Sequence, residues 1–428
     1  MNSKGGDEQA RSTAEEVARR SYGKLVAFLA ARTHDVASAE DALSEAFAAA
    51  LVDWPRKGCP ANPEAWLMTV ARRKMIDVFR GQRRDEMASE ELQVMARRLD
   101  AAVADVEHVG KIPDQRLALM FACAHPAIDE SIRAPLILQV ILGLDAKAIA
   151  SAFLTSPAAM GKRLVRAKEK IRQAGIPFSI PERQSLPARL ETVLSAIYAA
   201  FAEGWSDPGG TDAARRDLIR DRARDLTEEA MFLARLVIEL MPEEPEALGL
   251  LALVLHAEAR RRARRTAAGE FVPLGEQNPA LWDSQMIEEA EGLLRRASAL
   301  GSVGRYQLEG ALQSAHVYRC RTGRANWGEV VQIYDALFAL SGSPVVAVNR
   351  ALAIAEVRGA EAGLDEMPEV RSDARLAEYQ PYWAARAELL AKKGARDEAR
   401  QAYERAIGLE RDPAVRRFLQ RRQAGLGE

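Results

Sequence analysis

The chain has 428 residues, with 60 Lys and Arg against 61 Asp and Glu, 48% apolar side chains and only 6% aromatic ones. That length suits two to four domains, each with a core of its own, and the near-neutral balance excludes a disordered polyelectrolyte and a uniformly basic nucleic-acid coat. No apolar stretch approaches the ~20 residues of a membrane span, the polar N-terminus lacks a signal-peptide core, and Cys59, Cys123 and Cys320 form no disulfide framework, so a soluble cytoplasmic protein is expected.

Ala and Leu recur at three- and four-residue spacing almost throughout, and alternating runs of Val, Ile or Thr are nearly absent, which predicts an all-α fold. The first amphipathic helix to stand out is Ala39–Leu51, with Ala42, Leu43, Ala46 and Phe47 facing inward and Glu40, Asp41 and Glu45 outward. After the rigid segment Gly58-Cys59-Pro60-Ala61, Pro63 opens a second helix. There Trp66, Val70, Ile76 and Phe79 are expected to be buried, while Arg72, Arg73, Lys74 and Arg80 stay available to phosphate or base. Residues 72–84 hold six cations against Asp77 alone. Residues 85–113 are polar and weakly periodic and read as a linker.

Leu144–Arg172 carries the most specific pattern. Asp145 can cap a short helix with Ile149, Ala150 and Phe153 on its inner face, and Thr155-Ser156-Pro157 supplies a turn, an N-cap and a proline at the first helical position. The following helix buries Met160, Leu164, Ala167 and Ile171 and leaves Lys162, Arg163, Arg166 and Lys170 outside. Two helices joined this way, the second apolar inside and basic outside, form a helix-turn-helix with its recognition helix. The bland reading of the same pattern is a helical hairpin with a solvated basic face. The three prolines and the glycine of residues 175–187 end this segment.

The remaining sequence reads as paired helices. Gly323, Gly359 and Gly394 are spaced by 36 and 35 residues, and Trp383, Ala387, Gly394, Ala399, Tyr403 and Ala406 resemble the tetratricopeptide pattern. A helical bundle with coincidental spacing is the other reading. Residues 266–282, with Gly269, Pro273, Gly275 and Pro279, read as a long loop that is more often functional than accidental.

On these segments the chain resembles bacterial extracytoplasmic-function sigma factors, which belong to the sigma-70 family of RNA polymerase sigma factors. Ala39–Leu51 with 62–84 resembles their region two, and 117–172 their region four. Arg116-Leu-Ala-Leu-Met-Phe-Ala-Cys-Ala-His-Pro-Ala-Ile is similar to a signature of the group-42 type, whose members carry a tetratricopeptide-like extension. The resemblance implies region two at 15–88, a linker at 89–113, region four at 114–178 and a helical extension at 187–428. The family's acidic cluster is reduced here to Asp114, its paired cysteines to Cys123-Ala124, and Ser44 and Ala148 replace residues commonly found at those places.

The resemblance also assigns roles. Asp41 and Glu45 would face the polymerase, Asn62 would lie where an extruded base of the −10 element is taken up, and Arg72, Arg73, Lys74 and Arg80 would track the separated strand. Ala158, Ala159, Lys162 and Arg163 would reach base edges of the −35 element, with Arg166 and Lys170 on phosphates. The implied partners are core RNA polymerase, promoter DNA and a peptide or protein ligand of the repeats; no membrane partner and no cofactor is implied. Five histidines without an HExxH, HxH or CxxC constellation give no metal site, and no Walker loop, dinucleotide fingerprint or nucleophile elbow is present, so no catalysis is expected. The competing class is a tetratricopeptide adaptor or ligand-sensing helix-turn-helix regulator that does not engage polymerase.

Overall fold

The computed structural model describes residues 3–82, 97, 114–153, 155–182, 184–205, 213–370 and 373–427. The fold is all-α, and among the described residues the one β interaction is an isolated bridge between Arg265 and Phe271. The chain divides into two compact units, the first made of Met1–Trp205 with Arg222–Leu233, the second of Ser206–Asp221 with Ala234–Glu428.

The first unit begins with helices α1 (Ser3–Thr33), α2 (Val36–Lys57) and α3 (Pro63–Gln82), which pack on one another. His34 turns the chain in a left-handed conformation, and Asp35 caps α2 by accepting from the Ser38 amide at 3.0 Å. Ala42, Leu43 and Ala46 of α2 are buried as the pattern predicts, while Phe47 is only half-buried. The inner stripe of α3 is displaced from the expected one. Leu67, Met68, Ala71 and Met75 are fully buried, whereas Trp66, Val70 and Ile76 are half-buried and the Phe79 side chain lies outside the described ones. The slender residues face the neighbouring helices, and the bulkier Trp66 lies at the margin of the stripe, edge-on to Trp54 at 5.5 Å.

Four short helices follow: α4 (Arg116–Cys123), α5 (Glu130–Leu142), α6 (Ala146–Ala152) and α7 (Pro157–Gln173). Every residue of α4 is buried, Cys123 included, and burial pushes its thiol pKa up. The proline-rich segment ends α7 but does not end the unit. Ile176 and Phe178 are buried, Phe178 lying 5.7 Å from the His34 ring. Helix α8 (Leu186–Trp205) packs on α5 and α4 through Leu190, Val193, Leu194, Ile197 and Phe201. Each such side chain contributes roughly 1.5–3 kcal/mol when fully buried, which outweighs the prolines' interruption of the helix.

The second unit takes the end of α9 (Ala213–Leu240) and continues through α10 (Pro245–Ala259), α11 (Ser284–Ala299), α12 (Arg305–Thr322), α13 (Trp327–Ser341), α14 (Pro344–Arg358), α15 (Ala360–Asp365), α16 (Gln380–Lys393), α17 (Arg396–Leu409) and α18 (Pro413–Ala424). Helix α10 packs on both α11 and α12, and α13 with α14 and α16 with α17 are pairs joined by short turns. Gly323, Gly359 and Gly394, at the predicted period, hold positive φ of 68, 95 and 87°, which a side chain would resist. Ala387, Ala399, Tyr403 and Ala406 are buried between α16, α17 and α18. The 266–282 segment is ordered by short 3-10 turns at Leu274–Glu276 and Pro279–Leu281, and Trp282 is buried. It is fastened to the last helix: Phe271 meets Phe418 edge-on at 5.5 Å, and Glu270 accepts from Arg417 and Arg421 at 3.0 Å. Arg265 also pairs with Asp412.

Candidate nucleic-acid interface

The helix-turn-helix of the first unit is built by local capping. Asp145 accepts from the Ala148 amide at 2.7 Å and starts α6; Ser156 accepts from the Ala159 amide at 3.2 Å and, with Pro157 behind it, starts α7. Met160, Leu164, Ala167 and Ile171 are buried, the stripe expected from the sequence. Phe153 departs from expectation: it is the C-cap of α6 and 37% exposed, because the helix stops at Ala152 and the ring leaves the inner face.

The opposite face of α7 is cationic. Ala158, Ala159, Lys162, Arg166 and Lys170 are exposed, and Arg163 is half-buried with its guanidinium donating to Ser131 Oγ. Arg163, Arg166 and Lys170 line a cleft of about 410 Å³ whose other wall is Ala127, Ile128, Asp129, Ser131 and Ile132. The one carboxylate there is Asp129, which caps α5, and its hydrogen bonds from Ser131, together with the Arg163 and Arg133 charges, hold its pKa below the usual carboxylate range. None of Lys162, Arg163, Arg166 and Lys170 forms an ion pair among the described residues, so the cleft carries net positive charge toward solvent. Such a face suits phosphate oxygens, while the small Ala158 and Ala159 at the start of the helix let base edges come close.

The second candidate surface lies on α2 and α3. Asn62 is exposed and caps α3 by accepting from the Ala65 amide at 3.1 Å. Arg73 is exposed and Arg72 half-buried; Arg80 lies on α3 with its side chain outside the described ones. Lys74 is not free for a ligand, since it pairs with Glu45 at 2.8 Å, and that hydrogen bond raises its pKa. Asp41 remains exposed beside this pair. Glu40, expected outside, is buried, and its side chain meets Lys168 of α7. Burial raises the Glu40 pKa, and the Lys168 charge opposes that shift.

Two arrangements escape the sequence reading because their partners are far apart along the chain. One is Glu40 with Lys168. The other centres on Arg116, which is 7% exposed. Its Nε reaches both Asp114 oxygens at 3.1 Å, its other guanidinium nitrogens meet Asp114 and Glu229, and it lies 4.6 Å above the Phe232 ring. The pattern Asp-x-Arg signals the first pairing, but nothing local signals Glu229. Among the described residues no cluster of three His, Cys, Asp or Glu side chains could hold a metal ion, and no helix is long and apolar enough to cross a membrane.

Two stretches of the chain match known families. Residues 17–85 match the sigma-70 region 2 family, and residues 189–298 match a family of unknown function, DUF6596. The first match defines a class for the N-terminal part: residues 17–85 are a sigma-70 region 2 domain, which supports a sigma-70 family factor. The chain belongs to one family with a protein of Rhizobium meliloti (strain 1021) described as uncharacterized, 38% identical over 372 residues that cover 87% of this chain and 86% of the relative. No solved structure matches the chain significantly.

Proposed function

We propose that the protein is a sigma factor of the extracytoplasmic-function group-42 type, which binds core RNA polymerase and directs promoter-specific initiation. Residues 15–88 act as region two, 89–113 as linker, 114–178 as region four, and 187–428 as a tetratricopeptide-like extension that modulates activity through a peptide or protein ligand. The single observation that carries the reading is the coexistence of the sigma-70 region 2 match at 17–85 with a capped helix-turn-helix whose outer face bears Lys162, Arg163, Arg166 and Lys170, none in an ion pair among the described residues. In this reading Asp41 and Glu45 meet polymerase, Asn62, Arg72, Arg73, Lys74 and Arg80 engage the opened −10 strand, and the exposed face of α7 enters the −35 major groove. Lys74 then exchanges Glu45 for phosphate as DNA arrives. In this reading nucleotidyl transfer belongs to the polymerase.

The test is transcription of fragmented genomic DNA by core enzyme with and without the purified protein, read by sequencing the transcripts. Start sites that appear only with the protein and share two upstream elements support the reading. Absence of such transcripts, with no retention of core enzyme on the immobilised protein, rejects it and favours a regulator that works without polymerase.

A further inference from the structure

Helices α10 and α12 of the second unit pack against each other, and this packing encloses polar side chains as well as apolar ones. His256 of α10 is 0% exposed, and neither ring nitrogen has a hydrogen-bond partner among the described residues. Arg260, the C-cap of the same helix, is 7% exposed. Its guanidinium meets neutral acceptors: Nε donates to the His256 carbonyl at 3.1 Å, and a terminal nitrogen donates to Gln313 Oε1 of α12. Arg319 of α12 is half-buried and repeats the arrangement. It donates to His316 Nδ1 and, at 3.0 Å, to Asn326 Oδ1, and it lies 3.7 Å over the Trp327 ring.

Neither arginine forms an ion pair among the described residues, and the carboxylates around them are engaged elsewhere. Glu291 accepts from Ser314 at 2.6 Å and lies 3.4 Å from His256 Nε2, Glu258 pairs with Arg261 at 2.7 Å, and Glu356 pairs with Lys392 at 2.8 Å. Arginine is rarely buried without a counter-charge, because the hydration it gives up must be replaced. The first unit shows the ordinary solution, Arg116 set between Asp114 and Glu229. No such carboxylate faces Arg260. The two guanidiniums also act on a common neighbour: burial, then the charges of Arg319 and Arg260, push the His316 pKa down to about 4. An imidazole sealed from water without partners adds a donor and an acceptor that have lost their hydrogen bonds.

We propose that the α10–α12 face of the second unit binds a small dianion, a phosphate monoester or a dicarboxylate, with Arg260 and Arg319 as its charge partners and His256 and His316 as neutral hydrogen-bond donors. Because Arg319 donates to His316 Nδ1, the proton of the neutral ring stands on Nε2 and is free to be donated. Arg321, exposed on α12, adds a cation whose field reaches His256 and draws anions toward the site. With His256 and Arg260 so deeply set, a narrow charged group fits where a folded partner does not. His256 and Arg260 fall within the 189–298 stretch that matches DUF6596. The inference holds whether or not the protein engages polymerase.

The test is a titration of the full-length protein, labelled at its histidine rings, with inorganic phosphate, with succinate and with chloride at constant ionic strength, followed by nuclear magnetic resonance. We expect saturable movement of the His256 and His316 signals with phosphate, succinate or both, none with chloride, and a stationary His34. The more effective probe tells a phosphoryl ligand from a dicarboxylate. Arg260→Met and Arg319→Gln should each raise the dissociation constant of that probe on the order of tenfold. Arg260→Met should leave the urea midpoint of the anion-free protein unchanged or higher, which a merely structural arginine would not; Arg319→Gln, at a half-buried position, keeps the test open if Arg260→Met folds poorly. His256 and His316 signals that stay still with both probes, movement confined to His125 beside the α7 cleft, or affinity unchanged in Arg319→Gln would each overturn the site.

Discussion

Lys162, Arg163 and Arg166 stand within five residues of one another on α7, yet their surroundings differ. Lys162 and Arg166 are exposed, whereas Arg163 is held by Ser131 and turned along the cleft wall. Lys162→Ala is therefore expected to relax sequence selectivity at one −35 position by about 1–3 kcal/mol, and Arg166→Ala to weaken all sequences alike and reduce the salt slope by about one. Binding isotherms on a panel of −35 variants at several salt concentrations check both; equal effects of Lys162→Ala on every sequence would remove it from base readout. Arg116 poses a different kind of test. Its removal strands two carboxylates: burial already raises the pKa of Glu229, and against burial the Arg116 hydrogen bonds and charge hold that of Asp114 below the usual range. Arg116→Met should destabilise the first unit by about 3 kcal/mol, since breaking one side of a sheltered ion pair costs more than the pair is worth. Neutralising all three groups together should recover most of that loss in urea denaturation.

At the scale of helices, capping and apolar spacing made most elements legible. Asp145, Ser156 and Pro157 announce α6 and α7, and Met160, Leu164, Ala167 and Ile171 name the buried stripe. The stripe of α3 was harder to read, because two helices flank it and the adjacent apolar positions at 66–68 and 75–76 define overlapping faces. Spacing along one helix cannot choose between them. Glu40 was misread for a related reason: a carboxylate on a helix is placed outside by default, and its partner Lys168 is 128 residues away. The proline-rich 175–187 segment punctuates the chain without separating cores, which no local signal distinguishes. A fragment ending at residue 180 should then expose the α4–α5 surface that α8 covers. It is expected to bind a hydrophobic dye and to aggregate, while the full chain does neither. A well-behaved, cooperatively unfolding 1–180 fragment would show that α8 is dispensable to the unit.

For the larger assembly of helices in the second unit, acid is the most informative perturbation. His256 is fully buried, with neither ring nitrogen hydrogen-bonded among the described residues, and His316 is half-buried beside Arg319. Desolvation, then the nearby arginines, push both pKa values down to about 4. Glu291 lies 3.4 Å from His256 Nε2 without sparing it that shift. An unfolded histidine titrates near 6.5, so the unfolded chain takes up protons first as pH falls. The stabilisation is complete above about pH 6.5 and is lost progressively down to about 4, with roughly 2 kcal/mol per histidine gone at pH 5. Urea denaturation of the full chain between pH 7.5 and 5 should show this loss, and His256→Leu should reduce its slope. The fastening of the 266–282 segment to α18 matters in another way. An ordinary stack of helical pairs has two loose ends, which melt first and across which units can be added or dropped during evolution with little harm. Here Arg265, Glu270 and Phe271 reach the final helix, joining the early part of the series to its close. A series whose ends must meet cannot change its number of members without losing that junction, so the count of helical pairs in this unit is set by geometry and leaves little room for drift in length.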